Sequence, residues 1–358
     1  MPEVTNKSST ILVTGSNGYI GTWIVRKLLE RGFSVRAVVR SEQRGKHLLG
    51  SFSTYDDRLE LAIVPDLAKE GAFDEVVKGV EGIVHTASPV VAISGHPDEI
   101  VKPAVGGVTA ILHSALKHGT SSKRVVITSS MAAVEYQSDH PVTYTEKDWN
   151  VTTMAESDEK AENASSYAKY CASKVKSEQA VWEFVEKHKS EISWDVSVLN
   201  PPWVYGPPIH DVNKPSALNS SAKYWFDAVV KGELPATGST DPLTSPGGGW
   251  IDVRDCAEAH VRALERVAAG GKRIFCAAGY PHVWQDFFDT ANGLKPQPYE
   301  GSLAKGLPDG IKRVKNTLDS RLSKEVLGIE WCSMEELTRD TLEDFQRRGS
   351  EWIVNVSE

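Results

Sequence analysis

Residues 11–21 read Ile-Leu-Val-Thr-Gly-Ser-Asn-Gly-Tyr-Ile-Gly, an apolar run followed by Gly15, Gly18 and Gly21 at intervals of three. Apolar residues at helical spacing follow directly. Glycine permits a tight turn after a strand, lets backbone N–H groups approach a pyrophosphate, and allows close helix packing. A turn in which glycine only relieves strain is the alternative. The coincidence of strand, glycines and helix favours a phosphate-binding turn at a helix N-terminus.

Short β-branched runs alternate with longer helical patterns over the first two hundred residues. This order is typical of βαβ units on a parallel sheet, and the near-continuous Val and Ile content suits strands covered on both faces. We therefore predict an α/β fold: a Rossmann-type doubly wound parallel sheet with a smaller C-terminal substrate-binding lobe. The predicted strands are residues 11–15, 34–40, 59–66, 82–88, 124–130 and 194–200.

The character of the chain changes after Asn200, where prolines and a glycine break regular structure within a few residues. We predict a dinucleotide-binding domain over residues 1–200 and a smaller substrate lobe over 201–249 and 279–358. Residues 250–264 read as a helix and 273–278 as a strand, so we expect 250–278 to return to the first domain. The Gly/Pro/Ser/Thr-rich stretch 235–249 is a candidate mobile loop over a site.

Composition and charge exclude several classes of protein. The 358 residues are 40% hydrophobic and 25% charged, which is ordinary for a globular protein and excludes whole-chain disorder. The net charge of −8 argues against a general nucleic-acid binder, and no apolar run is long enough to cross a membrane. The four cysteines form no Cys-x-x-Cys pair. We therefore expect reduced thiols, no metal site and a cytosolic protein.

The second predicted strand ends in Arg40, and Arg44 follows nearby. In a dinucleotide fold this strand tip meets the adenosine ribose, where an acidic residue accepts the 2′-hydroxyl of NAD and an arginine accommodates the 2′-phosphate of NADP. The tip carries no acidic residue, although Glu42 lies between the two arginines. Two solvated surface arginines are the alternative. The pattern favours NADP, because guanidinium groups pair well with phosphate.

Tyr170 and Lys174 lie four residues apart on a helical pattern and therefore share one face of the helix. The pattern opens after the predicted strand that ends in Thr128, Ser129 and Ser130. Ligands bind at the carboxyl ends of such strands, so these side chains are candidate catalytic groups. Capping of the strand end is the alternative role for the two serines.

Six motifs occur in an order that spans most of the chain. They are Thr14-Gly15-x-x-Gly18-x-x-Gly21, His85-Thr-Ala-Ser88, Thr128-Ser-Ser130, Tyr170-x-x-x-Lys174, Asn200-Pro-Pro-Trp-Val-Tyr-Gly-Pro207 and Asp252-Val-Arg-Asp255. With them the sequence resembles the extended short-chain dehydrogenases/reductases. In detail it is similar to fungal NADPH-dependent aldehyde and ketone reductases of the methylglyoxal type, near the plant dihydroflavonol and cinnamoyl-CoA reductases.

The resemblance implies a carbonyl reductase that uses NADP and reduces aldehydes and ketones, including 2-oxoaldehydes and keto esters, to alcohols. Tyr170 would donate the proton to the carbonyl oxygen, Lys174 would lie near the phenol and the nicotinamide ribose, and Ser130 rather than Ser129 would hold the carbonyl oxygen. The residues that it implies at the NADP site are Gly15, Asn17, Gly18, Tyr19, Ile20, Gly21, Arg40, Arg44, Asp66, Leu67, Ala87, Ser88, Thr128, Pro201 and Trp203.

The substrate pocket is expected between the strand ends and the smaller lobe. Its candidate residues are Val90, Met131, Tyr136, Trp203, Tyr205 and Trp225. An apolar, aromatic lining suits a medium-sized carbonyl compound better than a charged sugar nucleotide, although core packing is the alternative for each aromatic. An epimerase or dehydratase of nucleotide sugars, and a cofactor-sensing regulator without enzymatic activity, are the other functions considered. The resemblance also implies a monomer or a weak dimer.

The chain departs from its resemblance in one helix. Relatives carry asparagine in an Ala-Val-Asn-Gly stretch after the fourth strand, where this chain reads Ala104-Val-Gly-Gly-Val108. Gly106 has no side chain that could hold a water relay. Gly106 and Gly107 together should also lower the stability of that helix, by about 1 kcal/mol each relative to alanine.

Overall fold

The computed structural model describes residues 3–88, 95–136, 138, 140–233, 248–306, 316–349 and 352. Within these ranges the strands are β1 (Thr10–Thr14), β2 (Ser34–Val39), β3 (Leu59–Ile63), β4 (Gly82–His85), β5 (Arg124–Thr128), β6 (Thr143–Tyr144), β7 (Asp195–Asn200), β8 (Trp203–Tyr205), β9 (Trp250–Asp252), β10 (Lys272–Phe275) and β11 (Thr317–Leu318). The helices are α1 (Tyr19–Glu30), α2 (Glu42–Ser51), α3 (Asp98–His118), α4 (Val151–Lys160), α5 (Ser166–Lys187), α6 (Ser220–Phe226), α7 (Val253–Glu265), α8 (Trp284–Gly293), α9 (Arg321–Leu327) and α10 (Met334–Arg347).

Seven strands form one sheet in the order β10-β7-β5-β4-β1-β2-β3, and every neighbouring pair is parallel. α3 and α5 pack against each other, and so do α1 and α7. The central strands are buried on both faces, as their β-branched composition requires. The predicted Rossmann-type parallel sheet is therefore confirmed.

The segment after β7 differs from the sequence prediction at two points. Residues 203–205 form a strand despite the surrounding prolines, and this strand, β8, pairs with β9. β9 occupies the first three residues of the stretch that was read as a helix, so the helix α7 begins only at Val253. Asp252 ends the strand and caps α7, because its carboxylate accepts a hydrogen bond from the Arg254 backbone N–H.

β10 lies at the edge of the seven-stranded sheet beside β7. A single hydrophobic cluster includes residues of β1 and α1 together with residues of α6, α8 and α10. The C-terminal elements therefore share a core with one face of the sheet. The division of the chain into a dinucleotide-binding domain and a substrate lobe stays a prediction.

Candidate active site

The carboxyl ends of four neighbouring strands meet at one edge of the sheet. Thr14 of β1 lies beside His85 of β4, and Thr128 of β5 lies beside Leu199 of β7. The residues that follow these strands, including Gly15 and Ser130, are thus brought to the same edge. Parallel sheets place their ligand sites at this edge.

The turn between β1 and α1 has the geometry of a close-packed phosphate loop. Gly15 has a φ of +69°, and a Cβ there would lie 2.9 Å from the Thr86 hydroxyl oxygen. A Cβ on Gly21 would lie only 2.1 Å from the carbonyl oxygen of Gly15. Both positions therefore require glycine. α1 begins at Tyr19 with no side-chain cap and no acidic residue in its first turn, so its first N–H groups can receive an anion.

A cavity of about 310 Å³ lies over this turn. The glycine loop contributes Gly15, Asn17 and Gly18 to its wall. The other predicted cofactor residues that line it are Arg40, Arg44, Leu67, Ala87 and Ser88. The structure thus brings together eight of the residues that the sequence assigned to NADP, around a space that suits a phosphate-bearing ligand.

Arg40 and Arg44 are both exposed at the mouth of this cavity. Arg40 follows β2, and Arg44 lies in the first turn of α2. No carboxylate of a described residue pairs with either guanidinium. By contrast, the nearby Arg36 is held by Glu60 and by two backbone carbonyl groups. Two uncommitted guanidinium groups fit the 2′-phosphate of NADP.

Several predicted cofactor residues do not direct their side chains into the cavity. The Tyr19 hydroxyl donates to the carbonyl oxygen of Gly206 at 2.7 Å, and burial raises the pKa of this phenol well above its usual value. The Thr128 hydroxyl is bonded to Nε2 of His260 at 2.7 Å. Tyr19 can therefore reach a dinucleotide only through its backbone N–H, and Thr128 serves to hold the end of its strand.

Four other predicted cofactor residues lie outside the wall of this cavity. The Asp66 carboxylate is exposed and accepts a hydrogen bond from the Ala68 backbone N–H at 3.0 Å. The Ile20 side chain packs against the core. The carbonyl group of Pro201 accepts from the Met131 N–H at 2.9 Å, and the Trp203 ring stacks on Tyr224 at 5.0 Å between centroids.

Lys174 links the helix α5 to the cavity. Its ammonium donates to the Ser88 hydroxyl at 3.2 Å and lies 5.7 Å from the centre of the Tyr170 ring. Ser88 lines the cavity, and Tyr170 and Lys174 are both partly exposed. The two residues therefore share one helix face, as their spacing predicted, and the ammonium lies between the phenol ring and the wall of the cavity.

The two serines at the end of β5 differ in their surroundings. Ser129 is buried and donates its hydroxyl hydrogen to Oε2 of Glu178 at 2.5 Å. Ser130 is partly exposed, and its Oγ accepts a hydrogen bond from the Ala132 N–H at 3.1 Å. Because an acceptor oxygen can still donate its own proton, Ser130 remains able to bind a carbonyl oxygen. The hydroxyl of Ser129 is already committed.

A buried ionic network lies directly behind these serines, and sequence reasoning missed it. Glu178 of α5 pairs with Arg273 of β10, and the side chains of the two residues are 0% and 7% exposed. The same carboxylate accepts from Ser129 and from the Asn200 amide at 2.8 Å. The signal that could have revealed the pair was Arg273, a charged residue directly before the apolar residues Ile274 and Phe275 of β10.

The structure places the predicted substrate residues in two groups. Met131, Tyr205 and Trp225 are at most 1% exposed. In the described part of the chain they belong to the packed interior, and their place in the substrate pocket stays a prediction. Tyr136 and Trp203 are partly exposed. Val90 lies outside the described residues, as does most of the 235–249 stretch.

Glu135 is a second functional candidate that the sequence did not reveal. It follows the turn after Ser130, and a Cβ on Gly248 would lie 3.4 Å from its Oε2 and 3.8 Å from the Trp203 ring. Its Oε1 is enclosed and accepts no hydrogen bond from the residues that the structure describes. Burial raises the pKa of this carboxyl to about 7, although a hydrogen bond with Tyr280 opposes the shift.

His85 has a structural role. Its Nδ1 is hydrogen-bonded to the Thr14 hydroxyl at 3.0 Å, and burial lowers the pKa of the imidazole to about 4. Among the described residues, no group of His, Cys, Asp and Glu could hold a metal ion. In that same part of the chain, no helix is long and apolar enough to span a membrane.

The model of the NAD dependent epimerase/dehydratase family matches residues 11–278. The chain belongs to this family. Its predicted membership of the extended short-chain dehydrogenases/reductases, which rested on six motifs, is confirmed.

Members of the family with similar sequences cover nearly the whole chain. NADPH-dependent methylglyoxal reductase of Saccharomyces cerevisiae is 32% identical over 345 residues, which cover 93% of this chain and 96% of that protein. A ketoreductase of Aspergillus niger is 31% identical over 337 residues, with coverage of 93% and 96%. The crystal structure of yeast methylglyoxal/isovaleraldehyde reductase complexed with NADPH has a TM-score of 0.81 and 30% identity, and covers 95% of this chain and 99% of that one.

Proposed function

We propose that this protein is an NADPH-dependent carbonyl reductase that reduces aldehydes and ketones, including 2-oxoaldehydes and keto esters, to alcohols. The observation that carries the proposal is the position of Lys174. Its ammonium lies beside the Tyr170 ring and bonds Ser88 on the wall of the cavity that also presents Arg40 and Arg44. The named activities of the similar fungal proteins support the same reaction class.

The residues of the cavity fit NADPH: the glycine turn would hold its pyrophosphate, and Arg40 and Arg44 would hold its 2′-phosphate. When bound, the cofactor supplies the hydride. Tyr170 donates a proton to the substrate oxygen, and Ser130 orients that oxygen by a hydrogen bond. The ammonium of Lys174 lies near the Tyr170 ring, and its positive charge stabilises the tyrosine oxygen after that oxygen has given up its proton.

The decisive experiment measures the fall in NADPH absorbance with a panel of ketones, 2-oxoaldehydes and β-keto esters. We expect Tyr170→Phe to lower kcat by at least about 100-fold, because a positioned general acid contributes that much. Tyr167→Phe is the matched control, since Tyr167 is another tyrosine of α5, about one turn earlier on the helix. Carbonyl-dependent oxidation of NADPH that persists in Tyr170→Phe would contradict the mechanism.

A nucleotide-sugar epimerase or dehydratase remains the second candidate, because the family description includes both activities. Such an enzyme must retain its cofactor through the whole cycle, whereas a reductase exchanges it at every turnover. Identification of the nucleotide released when the purified protein is denatured distinguishes the two. We expect NADP or no nucleotide, and stoichiometric NAD would favour the epimerase.

The compartment and the oligomeric state belong to the same proposal. A cytosolic protein is consistent with Cys171, Cys256 and Cys276, which are buried and free. We expect a monomer or a weak dimer, and light scattering over a range of protein concentrations measures this directly.

A further inference from the structure

The carboxylate of Glu178 contacts two strands of the sheet and the residue that follows a third. Oε2 accepts a hydrogen bond at 2.5 Å from the hydroxyl of Ser129, which follows β5, and another at 2.8 Å from the amide of Asn200 in β7. Oε1 accepts from Nε of Arg273 in β10 at 2.5 Å and from the Trp182 indole at 3.4 Å. One buried side chain thus connects α5 to the ends of two strands and to the edge strand.

Glu178 lies on the same helix face as the candidate catalytic residues. Tyr170, Lys174 and Glu178 are spaced by four residues on α5, so that Glu178 lies about 12 Å along the helix axis from Tyr170. Tyr170 and Lys174 are partly exposed at the site, whereas Glu178 is 1% exposed in the interior. The carboxylate therefore holds α5 in place at a point in the interior, beyond the residues that lie at the site.

The strand residues that Glu178 holds are immediate neighbours of other site residues. Ser129 precedes Ser130, and Asn200 precedes Pro201. The Asn200 amide also donates to the carbonyl oxygen of Ser130 at 3.2 Å. The position of Ser130 is thus coupled to that of Tyr170 through one carboxylate.

Arg273 supplies the counter-charge and is itself held in place. Its remaining N–H groups donate to the carbonyl oxygens of Glu146 and Asp148, and its guanidinium lies 3.9 Å from the centre of the Trp149 ring. A buried ion pair of this kind adds little net stability compared with an apolar pair of the same size. A fixed geometry is the property that it provides here.

We propose that Glu178 is a positioning residue that sets the distance between the Tyr170–Lys174 pair on α5 and Ser130, which follows β5. The inference rests on the proposed carbonyl reduction. It predicts that loss of the Glu178 hydrogen bonds lowers kcat even where the fold and cofactor binding are retained.

The test compares Glu178→Gln with Asp195→Asn in the full chain. Asp195 pairs with the buried Arg124 at 2.5 Å, and this pair joins the opposite ends of the same strands, β5 and β7, away from the site. Both substitutions break a buried ion pair and should lower the unfolding temperature. We expect only Glu178→Gln to lower kcat, by at least about tenfold, with the KM for NADPH changed less than about twofold.

Two further variants separate positioning from stability. Glu178→Met with Arg273→Met removes both charges and should restore the unfolding temperature while kcat stays low. Ser129→Ala removes one hydrogen bond to Glu178 and should lower kcat severalfold. It decides the question if Glu178→Gln does not fold.

Three results would overturn the inference. They are a kcat of Glu178→Gln within twofold of wild type, an equal loss in Asp195→Asn, and recovery of kcat together with stability in the double variant. If the wild-type protein fails to oxidise NADPH with every carbonyl compound of the panel, the proposed function itself is refuted.

Discussion

Replacement of Arg40 and Arg44 by serine tests how the cavity distinguishes NADPH from NADH. Both guanidinium groups are exposed, so their attraction to a phosphate acts through a medium close to water. At about 4 Å in water, two unit charges attract by about 1 kcal/mol. A phosphate group with a charge of about −1.5 therefore gains about 1.5 kcal/mol from each arginine. This corresponds to about tenfold in affinity per arginine and about 100-fold for both.

The assay measures kcat/KM for NADPH and for NADH with one carbonyl substrate at several salt concentrations. The double variant should lose about 100-fold with NADPH and less than about threefold with NADH, which lacks the 2′-phosphate. The loss should shrink at high salt, because the Debye length falls from about 10 Å at 0.1 M to about 3 Å at 1 M. Lys46→Ser is the control, since Lys46 is an exposed cation of α2 outside the cavity wall. Equal losses with both cofactors, or no loss with either, would refute the assignment of the 2′-phosphate to these arginines.

Two further predictions concern stability. Gly107→Ala should raise the free energy of unfolding by about 0.5–1 kcal/mol, because the new Cβ would meet only the Leu67 carbonyl oxygen, at 4.0 Å. Gly106→Ala should raise the free energy of unfolding by less, because its Cβ would lie only 3.2 Å from the Ala68 Cβ. Chemical denaturation compares the two. The raised pKa of Glu135 costs the folded state stability as pH rises from about 4.5 to about 7. The free energy of unfolding of Glu135→Gln should therefore rise relative to that of wild type over this pH range, by at most about 3 kcal/mol. Denaturant unfolding at pH 5 and pH 8 measures this difference. A difference that is equal at the two pH values would contradict the prediction.

The sheet could be predicted because each of its strands is indicated by a short run of neighbouring residues. Buried parallel strands need continuous Val and Ile runs, and each run that the sequence suggested became a strand of the seven-stranded sheet. The glycine turn was equally accessible, since the close approach of Gly21 to Gly15 allows no side chain. The pairing of β8 with β9 was not accessible, because it joins segments that lie more than forty residues apart with prolines beside one of them.

The substrate lobe could not be read in the same way. An aromatic residue such as Trp225 satisfies the same local pattern whether it lines a pocket or fills a core. The structure places it against Phe287 and Phe345, which come from α8 and α10. Only the tertiary fold could distinguish these alternatives, and it buries Tyr205 and Trp225 in the core.

The buried ionic network behind the site could not be recognised from the sequence motifs. The Tyr170-x-x-x-Lys174 motif ends one helical turn before Glu178, and the partner of Glu178 lies 95 residues further along the chain. A buried carboxylate is stable only where several donors converge on it, and here those donors come from the ends of β5 and β7 and from β10. The elements that bring these donors together also carry Ser130, Tyr170 and Lys174. The hydrogen bonds that satisfy this buried carboxylate therefore join the same elements that carry the candidate catalytic groups.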